Sequence, residues 1–195
     1  MDRRTLTSAI LSCAFAGVLG LLTACGGGSS TPPGPATKLH YTNPPASGFR
    51  LEVDPATNDT PHLVLNLVGP AGTTGQGAAL FLTCDATKAV WASPGGADPF
   101  AKAGGALTLG PVALFKSKRQ GAGDLEVGIC QTGAPAANLG KAPIVSLALD
   151  LKPDGGLLSG TAVALAPTTG KASKYLDAQM ADQPMALGVG TLTAQ

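Results

Sequence analysis

The sequence is poor in rings and poor in charge. Its 195 residues include one Trp, two Tyr and five Phe, and charged side chains make up 13%. Platforms that stack sugars or bases are built from exposed rings, so so few aromatics leave little material for one. Histidine is scarcer still: His40 and His62 are the only two. A zinc site takes three or four Cys, His or carboxylate ligands, and neither histidine has a companion at ligand spacing, so no metal and no cofactor is expected. No Gly-x-Ser-x-Gly elbow occurs, and Asp54, Asp59, Asp85, Asp98 and Asp154 sit among turn-forming residues rather than in catalytic pairs. The segment from Asp54 to Asp59 lacks the Gly and terminal Glu of a calcium loop. No catalytic residue is nominated.

What is abundant lies first at the N-terminus. Arg3 and Arg4 precede an apolar stretch from Ala9 to Leu22, too short to span a bilayer as a permanent helix and of the length of a signal h-region. It ends in Leu22-Thr23-Ala24-Cys25, which resembles the lipobox of bacterial lipoproteins. The resemblance implies that residues 1–24 are an export signal and that Cys25 receives a diacylglycerol and a further acyl chain, which together hold a protein at a membrane. Gly26, rather than an Asp, follows the cysteine, and by the same resemblance the outer membrane is the expected destination. Loss of Asp2, Arg3 and Arg4 with the signal leaves 11 basic and 11 acidic residues. A chain without net charge is a poor nucleic-acid ligand, so that partner is not expected.

Residues 25–47 change character, running through Gly26-Gly27-Gly28-Ser29-Ser30 to Asn43-Pro44-Pro45 with little to bury. They are expected to form a tether, flexible in its Gly part and extended in its Pro part at roughly 3 Å per residue.

Residues 48–195 read as an all-β domain. The 27 Gly and 16 Pro fall between short apolar runs, the pattern of many strands joined by turns. Strands are expected near 49–53, 62–68, 78–84, 89–92, 106–109, 112–116, 125–131, 144–152, 157–165 and 187–193. Alternation is clearest at Leu63, Leu65, Leu67 and at Leu147, Leu149, Leu151. About nine or ten strands at this spacing favour a two-sheet antiparallel sandwich, with one short amphipathic helix expected over 171–183. Trp91, between Val90 and Ala92, reads as core, and Lys116-Ser117-Lys118-Arg119 as a charged edge or hairpin connection. Contact with an anionic surface glycan is the alternative for that cluster. Once Cys13 leaves with the signal and Cys25 is lipidated, Cys84 and Cys130 remain. In an oxidising compartment they are expected to pair, which would stabilise the fold by about 4 kcal/mol.

The runs Leu63-Val64-Leu65-Asn66-Leu67-Val68, Ala79-Leu80-Phe81-Leu82-Thr83-Cys84-Asp85, Gly95-Gly96 with Phe100, and Ile144 to Leu151 together resemble cohesin-like and related carbohydrate-binding β-sandwiches, over about residues 49–167. Cys84 stands where those domains customarily carry Tyr. The resemblance implies a sandwich fold and, as a ligand, carbohydrate. The tether, the sandwich and the absence of catalytic motifs together lead to the expectation of a binding or scaffolding domain, not an enzyme, with an envelope protein or a glycan as partner. A carbohydrate-binding module, an accessory subunit of an envelope or secretion machine, and a hydrolase of unfamiliar type are the competing readings.

Overall fold

Every second residue of His62–Val68 and of Val145–Leu151 is a leucine, and all six of these side chains are buried. Two strands that present such faces pair so that the leucines share one side of a sheet. In the computed structural model, which describes residues 32–195, they do so with Leu65 opposite Leu147 and Leu63 opposite Leu149.

Among the described residues sixteen strands occur in chain order: β1 (Leu39–Thr42), β2 (Phe49–Val53), β3 (His62–Val68), β4 (Thr74–Cys84), β5 (Ala89–Ala92), β6 (Ala101–Ala103), β7 (Leu114–Gln120) and β8 (Asp124–Cys130). They continue with β9 (Ala137–Asn138), β10 (Val145–Leu151), β11 (Thr161–Val163), β12 (Leu165–Pro167), β13 (Lys174–Asp177), β14 (Asp182–Pro184), β15 (Leu187–Gly188) and β16 (Thr191–Ala194). One short 3-10 turn covers Pro153–Gly155. A six-stranded sheet runs β15-β2-β3-β10-β5, with β6 also on β10. A seven-stranded sheet runs β14-β13-β4-β8-β7, with β9 and β12 also on β4. The pairing of β15 with β2 is parallel and the other ladders are antiparallel. The inner leucines of β3 and β10 share one buried cluster with Leu80 and Leu82 of β4 and Leu125, Val127 and Ile129 of β8. The expected all-β sandwich is therefore the observed fold. Trp91 belongs to the same cluster, and its indole N–H donates to the Gly123 carbonyl at 2.6 Å.

Several expectations need correction. Residues 171–183 form the hairpin β13-β14 instead of a helix. Tyr175 turns inward to stack on Phe49, ring centroids 4.9 Å apart, while Asp177 accepts the N–H groups of Gln179 and Ala181 and Met180 turns at φ +64°. An Asx-type turn thus wins over a weak helical period. Residues 106–109 are not a strand, because the Thr108 N–H goes to the Gln131 side-chain oxygen at 2.7 Å rather than into a ladder; the strand lies earlier, at β6. The single strand expected over 157–165 is divided between β11 and β12, which serve different sheets. Likewise the strand expected at 112–116 lies further on, at β7.

The expected tether also contains structure. Residues 39–42 form β1, which joins β16 and β11 in a three-stranded sheet. Leu39 and Tyr41, isolated among polar residues in the sequence, are both buried. The Tyr41 hydroxyl accepts the Gly190 N–H at 2.6 Å and donates to the Leu51 carbonyl at 3.3 Å, so one side chain ties β1 to β2 and to the turn before β16. Gly190 has to be glycine, since a Cβ there would lie 1.9 Å from the Thr42 oxygen. At the end of this ladder Gln195 accepts from Thr37 and Lys38 and donates back to Lys38.

Candidate binding face

Cys25, the expected lipidation site, lies outside the described residues, as does the signal. The expected Cys84–Cys130 disulfide is not formed: both thiols are free and buried. The reason is register. Cys130 sits opposite Gly77, seven residues along β4 from Cys84, a separation of about 23 Å at the rise of a strand. A disulfide needs Cα atoms within about 7 Å. Burial, followed by the charges of Asp85 and Asp124, pushes the Cys84 thiol up to about 11, and burial raises Cys130 as well, so neither is a poised nucleophile.

The histidines are placed apart, each beside one carboxylate. His40 Nδ1 lies 2.9 Å from Asp59, and His62 Nδ1 lies 2.5 Å from Asp150. Among the described residues no group of three or more His, Cys, Asp or Glu is gathered as a metal site. Asp54 and Asp85 each accept the N–H two residues on, the expected turn role. Asp98 does more. It accepts the N–H groups of Phe100 and Ala101 at 3.1 Å and of Ser117 at 2.9 Å, and the Ser117 hydroxyl as well. Burial pushes its carboxyl up, but these hydrogen bonds outweigh it and hold the group below its ordinary 3.8. The basic cluster is in the edge strand β7, as one of the expected placements had it, and Asp98 takes a backbone donor on the free side of that edge.

The outer face of the seven-stranded sheet carries the feature that sequence reading missed. Because Leu80, Leu82, Leu125, Val127 and Ile129 point inward, the alternate positions of β4 and β8 point out, and they are small: Gly77 and Ala79 on β4, Gly128 on β8. A Cβ placed on Gly128 would meet nothing within 4 Å. Cross-strand register sets Leu176 and Lys174 of β13 beside Gly77 and Ala79, and Leu114 and Lys116 of β7 beside Cys130 and Gly128. The result is a trough floored by backbone and methyl groups and walled by β13 and β7, with a recess of about 330 Å³ that runs from Cys130 past Gly128 to Phe81. One rung further on, Phe81 and Glu126 close the floor. Lys171 lies over the Phe81 ring, 5.7 Å from its centroid, and pairs with Glu126, which its hydrogen bond holds below the usual carboxylate range. Lys174 pairs with Asp182 at 2.8 Å. Leu114, at 58% exposure, and Val112, at 75%, leave the β7 wall rimmed with apolar surface. The alternation of β8 was a usable signal: once Leu125, Val127 and Ile129 are read as core, Gly128 must face out.

This pair of sheets is similar to that of several solved structures. The sixth cohesin of scaffoldin B from Acetivibrio cellulolyticus, solved in complex with a Cel5 dockerin, superposes with a TM-score of 0.52 at 17% identity, over 74% of this chain and 97% of that one. The type II cohesin dyad of the ScaA adaptor scaffoldin from the same organism gives 0.53 at 11% identity, over 75% of this chain and 48% of the dyad. The fold is cohesin-like. A type II cohesin domain from the same organism's cellulosome agrees, with a TM-score of 0.50 at 11% identity over 81% of this chain. No protein-family model matches the sequence, and no curated protein does. Identities this low carry the cohesin-like architecture and nothing of its ligands.

Proposed function

We propose that this chain is a lipid-anchored extracytoplasmic binding module, without catalytic activity of its own, that docks a partner protein on the outer face of its seven-stranded sheet. The anchor rests on the lipobox-like Leu22-Thr23-Ala24-Cys25 and on Gly26, which favours the outer membrane. The docking reading is carried by one observation: the trough over Gly77, Ala79 and Gly128, a floor of backbone and a single methyl group between two walls. Proteins seldom leave an open apolar channel across a sheet face unless something lies in it. That a cohesin of the same fold was solved with a dockerin bound supports a protein as the occupant, and a scaffolding role in the envelope.

A photo-crosslinking residue at Gly128 of the full precursor, expressed in a Gram-negative host, tests the docking, with Val64 on the outer side of β3 as the control position. A discrete protein adduct from position 128 and none from 64 is the expected result; equal labelling from the two faces refutes the trough. The intact mass of the mature protein from the outer-membrane fraction tests the anchor. Acyl chains on Cys25 are expected, and an unlipidated soluble product removes the tether to the membrane.

A further inference from the structure

We propose a second binding site, among the loops at one end of the sandwich, that takes a carboxylate-bearing sugar unit, a hexuronic acid, with Lys141 on its carboxylate. It adds to the docking reading above and does not depend on it.

Three loop stretches, 105–108, 131–138 and 141–142, enclose a recess of about 380 Å³. Small-molecule sites start at about 300 Å³, so the space is enough for about one sugar ring. Buried amides fix its shape. Among the described residues three polar side chains are buried; one, Gln131, lines the recess, and another, Gln76, bonds to it from behind. The Gln131 side-chain oxygen accepts the Thr108 N–H at 2.7 Å, and its amide nitrogen donates to the Pro135 carbonyl at 2.7 Å and to the Gln76 side-chain oxygen at 2.9 Å. One side chain therefore ties the 105–108 wall to the 131–138 wall. Two buried amides add little to stability, because their bonds only replace bonds to water and an apolar pair would fill the same space. What they supply is a set of walls held in place before any ligand arrives. The third wall is pinned as well. Leu139 is fully buried, its N–H donates to the Thr73 carbonyl and its carbonyl accepts from Gly69. Beside it the Asn138 side chain accepts the Gly140 N–H, in a turn that carries Lys141.

The polar groups left over select the ligand. The Thr108 hydroxyl, the Asn138 amide nitrogen and the Lys141 ammonium all belong to the lining, and none of them donates to another of the described residues. Lys141 makes no ion pair among those residues. No Asp or Glu lines the recess, and Glu52, which shares the neighbouring recess with Lys141, is held by Arg50. One unmatched cation beside two neutral donors suits one carboxylate, through one charge-assisted bond and two ordinary ones. The hydroxyls of a pyranose both donate and accept, and so suit Asn138, Thr108 and the second lone pair of the Gln131 oxygen. Ala106, Ala134, Pro135 and Ala137 give the rest of the lining a C–H surface for the ring to lie against. An extended peptide has no ladder to join here, since β9 already occupies the adjoining edge of β4. The site is also clear of the entering chain. β3 begins next to Thr60, which bonds Leu39, and ends next to Gly69, which bonds Leu139, and its seven residues span about 23 Å.

The test is calorimetric titration of the full chain in detergent with short oligosaccharides ending in galacturonate, glucuronate or mannuronate, each paired with its methyl ester. Esterification keeps the ring and removes the charge. The expected result is binding of at least one acid, roughly tenfold or more weaker for its ester, with the same loss for the acid on Lys141→Gln and a loss of roughly threefold on Thr108→Val. Lys141→Gln should no longer separate acid from ester, and Gly128→Gln, in the trough, should bind as the parent does. Both recess positions are exposed, and circular dichroism melts matching the parent confirm the fold. Equal binding of acid and ester, undiminished binding by Lys141→Gln, or no binding across the panel overturns the site and leaves the trough standing. Acetyl-Ala-Ala bound as tightly as the sugars overturns the sugar, since any carboxylate would then do; loss on Gly128→Gln moves the ligand to the trough and overturns the recess.

Discussion

On the outer face of the six-stranded sheet, polar side chains meet one another. His62 lies against Asp150, the Ser146 hydroxyl donates to Asn66 at 2.6 Å, and Arg50 grips Glu52 through two nitrogens at 2.6 and 2.7 Å. On the outer face of the seven-stranded sheet, the corresponding central positions are Gly77, Ala79 and Gly128, and lysines on one wall have no carboxylate to themselves. The inner faces of the two sheets are both leucine-rich and share one core. Gly77 is required by the close approach of β8, where a Cβ would lie 2.3 Å from the Ile129 oxygen, but Gly128 is open, so the bare floor at Gly128 owes nothing to folding requirements. A side chain that already has its partner on the same sheet gains little from a second molecule; a bare floor and an unmatched ammonium gain both burial and charge. The contrast separates surface that completes the fold from surface that is left for a partner.

Removing the carboxylate of Asp98 should have the largest effect, by extending the open surface to the β7 edge. Asp98→Ala takes away the acceptor for three backbone N–H groups and is expected to cost about 2 kcal/mol, read by urea unfolding at neutral pH. Sedimentation of the variant should show association that grows with concentration, as bare edges permit. Because the folded carboxyl titrates below 3.8, its stabilising contribution is present above that pH and disappears as pH falls through the lowered value. The deficit of the variant should therefore narrow in strong acid; a constant deficit down to pH 2 would show that Asp98 acts through packing alone.

Filling the floor comes next. Gly128→Gln should weaken docking roughly tenfold or more, about 1.4 kcal/mol, while shifting unfolding by less than about 0.5 kcal/mol, since the position is open. A large stability loss would make Gly128 a folding residue and erase the distinction between the faces. On the opposite sheet, Asp150→Asn should cost less than about 1 kcal/mol, the ordinary worth of a half-exposed polar contact, and leave docking unchanged. Smallest of all is the thiol result. The mass of the mature chain should be the same with and without reductant, and Cys84 and Cys130 should alkylate only after unfolding. A loss of two hydrogens would contradict the register of β4 and β8.

Strong alternation made much of this fold legible in advance. β2, β3 and β5 fall on their expected residues, and β10 lies within its expected range, because each is short, apolar on one side and bounded by turns. The losses came where a single side chain outside the local pattern decides the backbone. Asn58, far along the chain, binds both the N–H and the carbonyl of Tyr41 and so makes a strand of a stretch that reads as linker. Gln131 does the reverse to Thr108, taking the donor that a strand would need. The cysteine pairing failed for a related reason: compartment and parity describe which thiols are available, while distance is set by register, which neither conveys. The trough was half legible, in that β8 alternates cleanly, but its walls depend on which strands flank β4 and β8 in space.

The bonds of Gln195 to Thr37 and Lys38 give the domain a seam. Residues 37 and 195 are already neighbours, so a short loop joining them, with new ends opened in the exposed turn at Thr169-Gly170, yields a circular permutant that keeps every ladder described above. By the same adjacency, cargo fused ahead of residue 37 and cargo fused after residue 195 emerge side by side from one pole of the molecule.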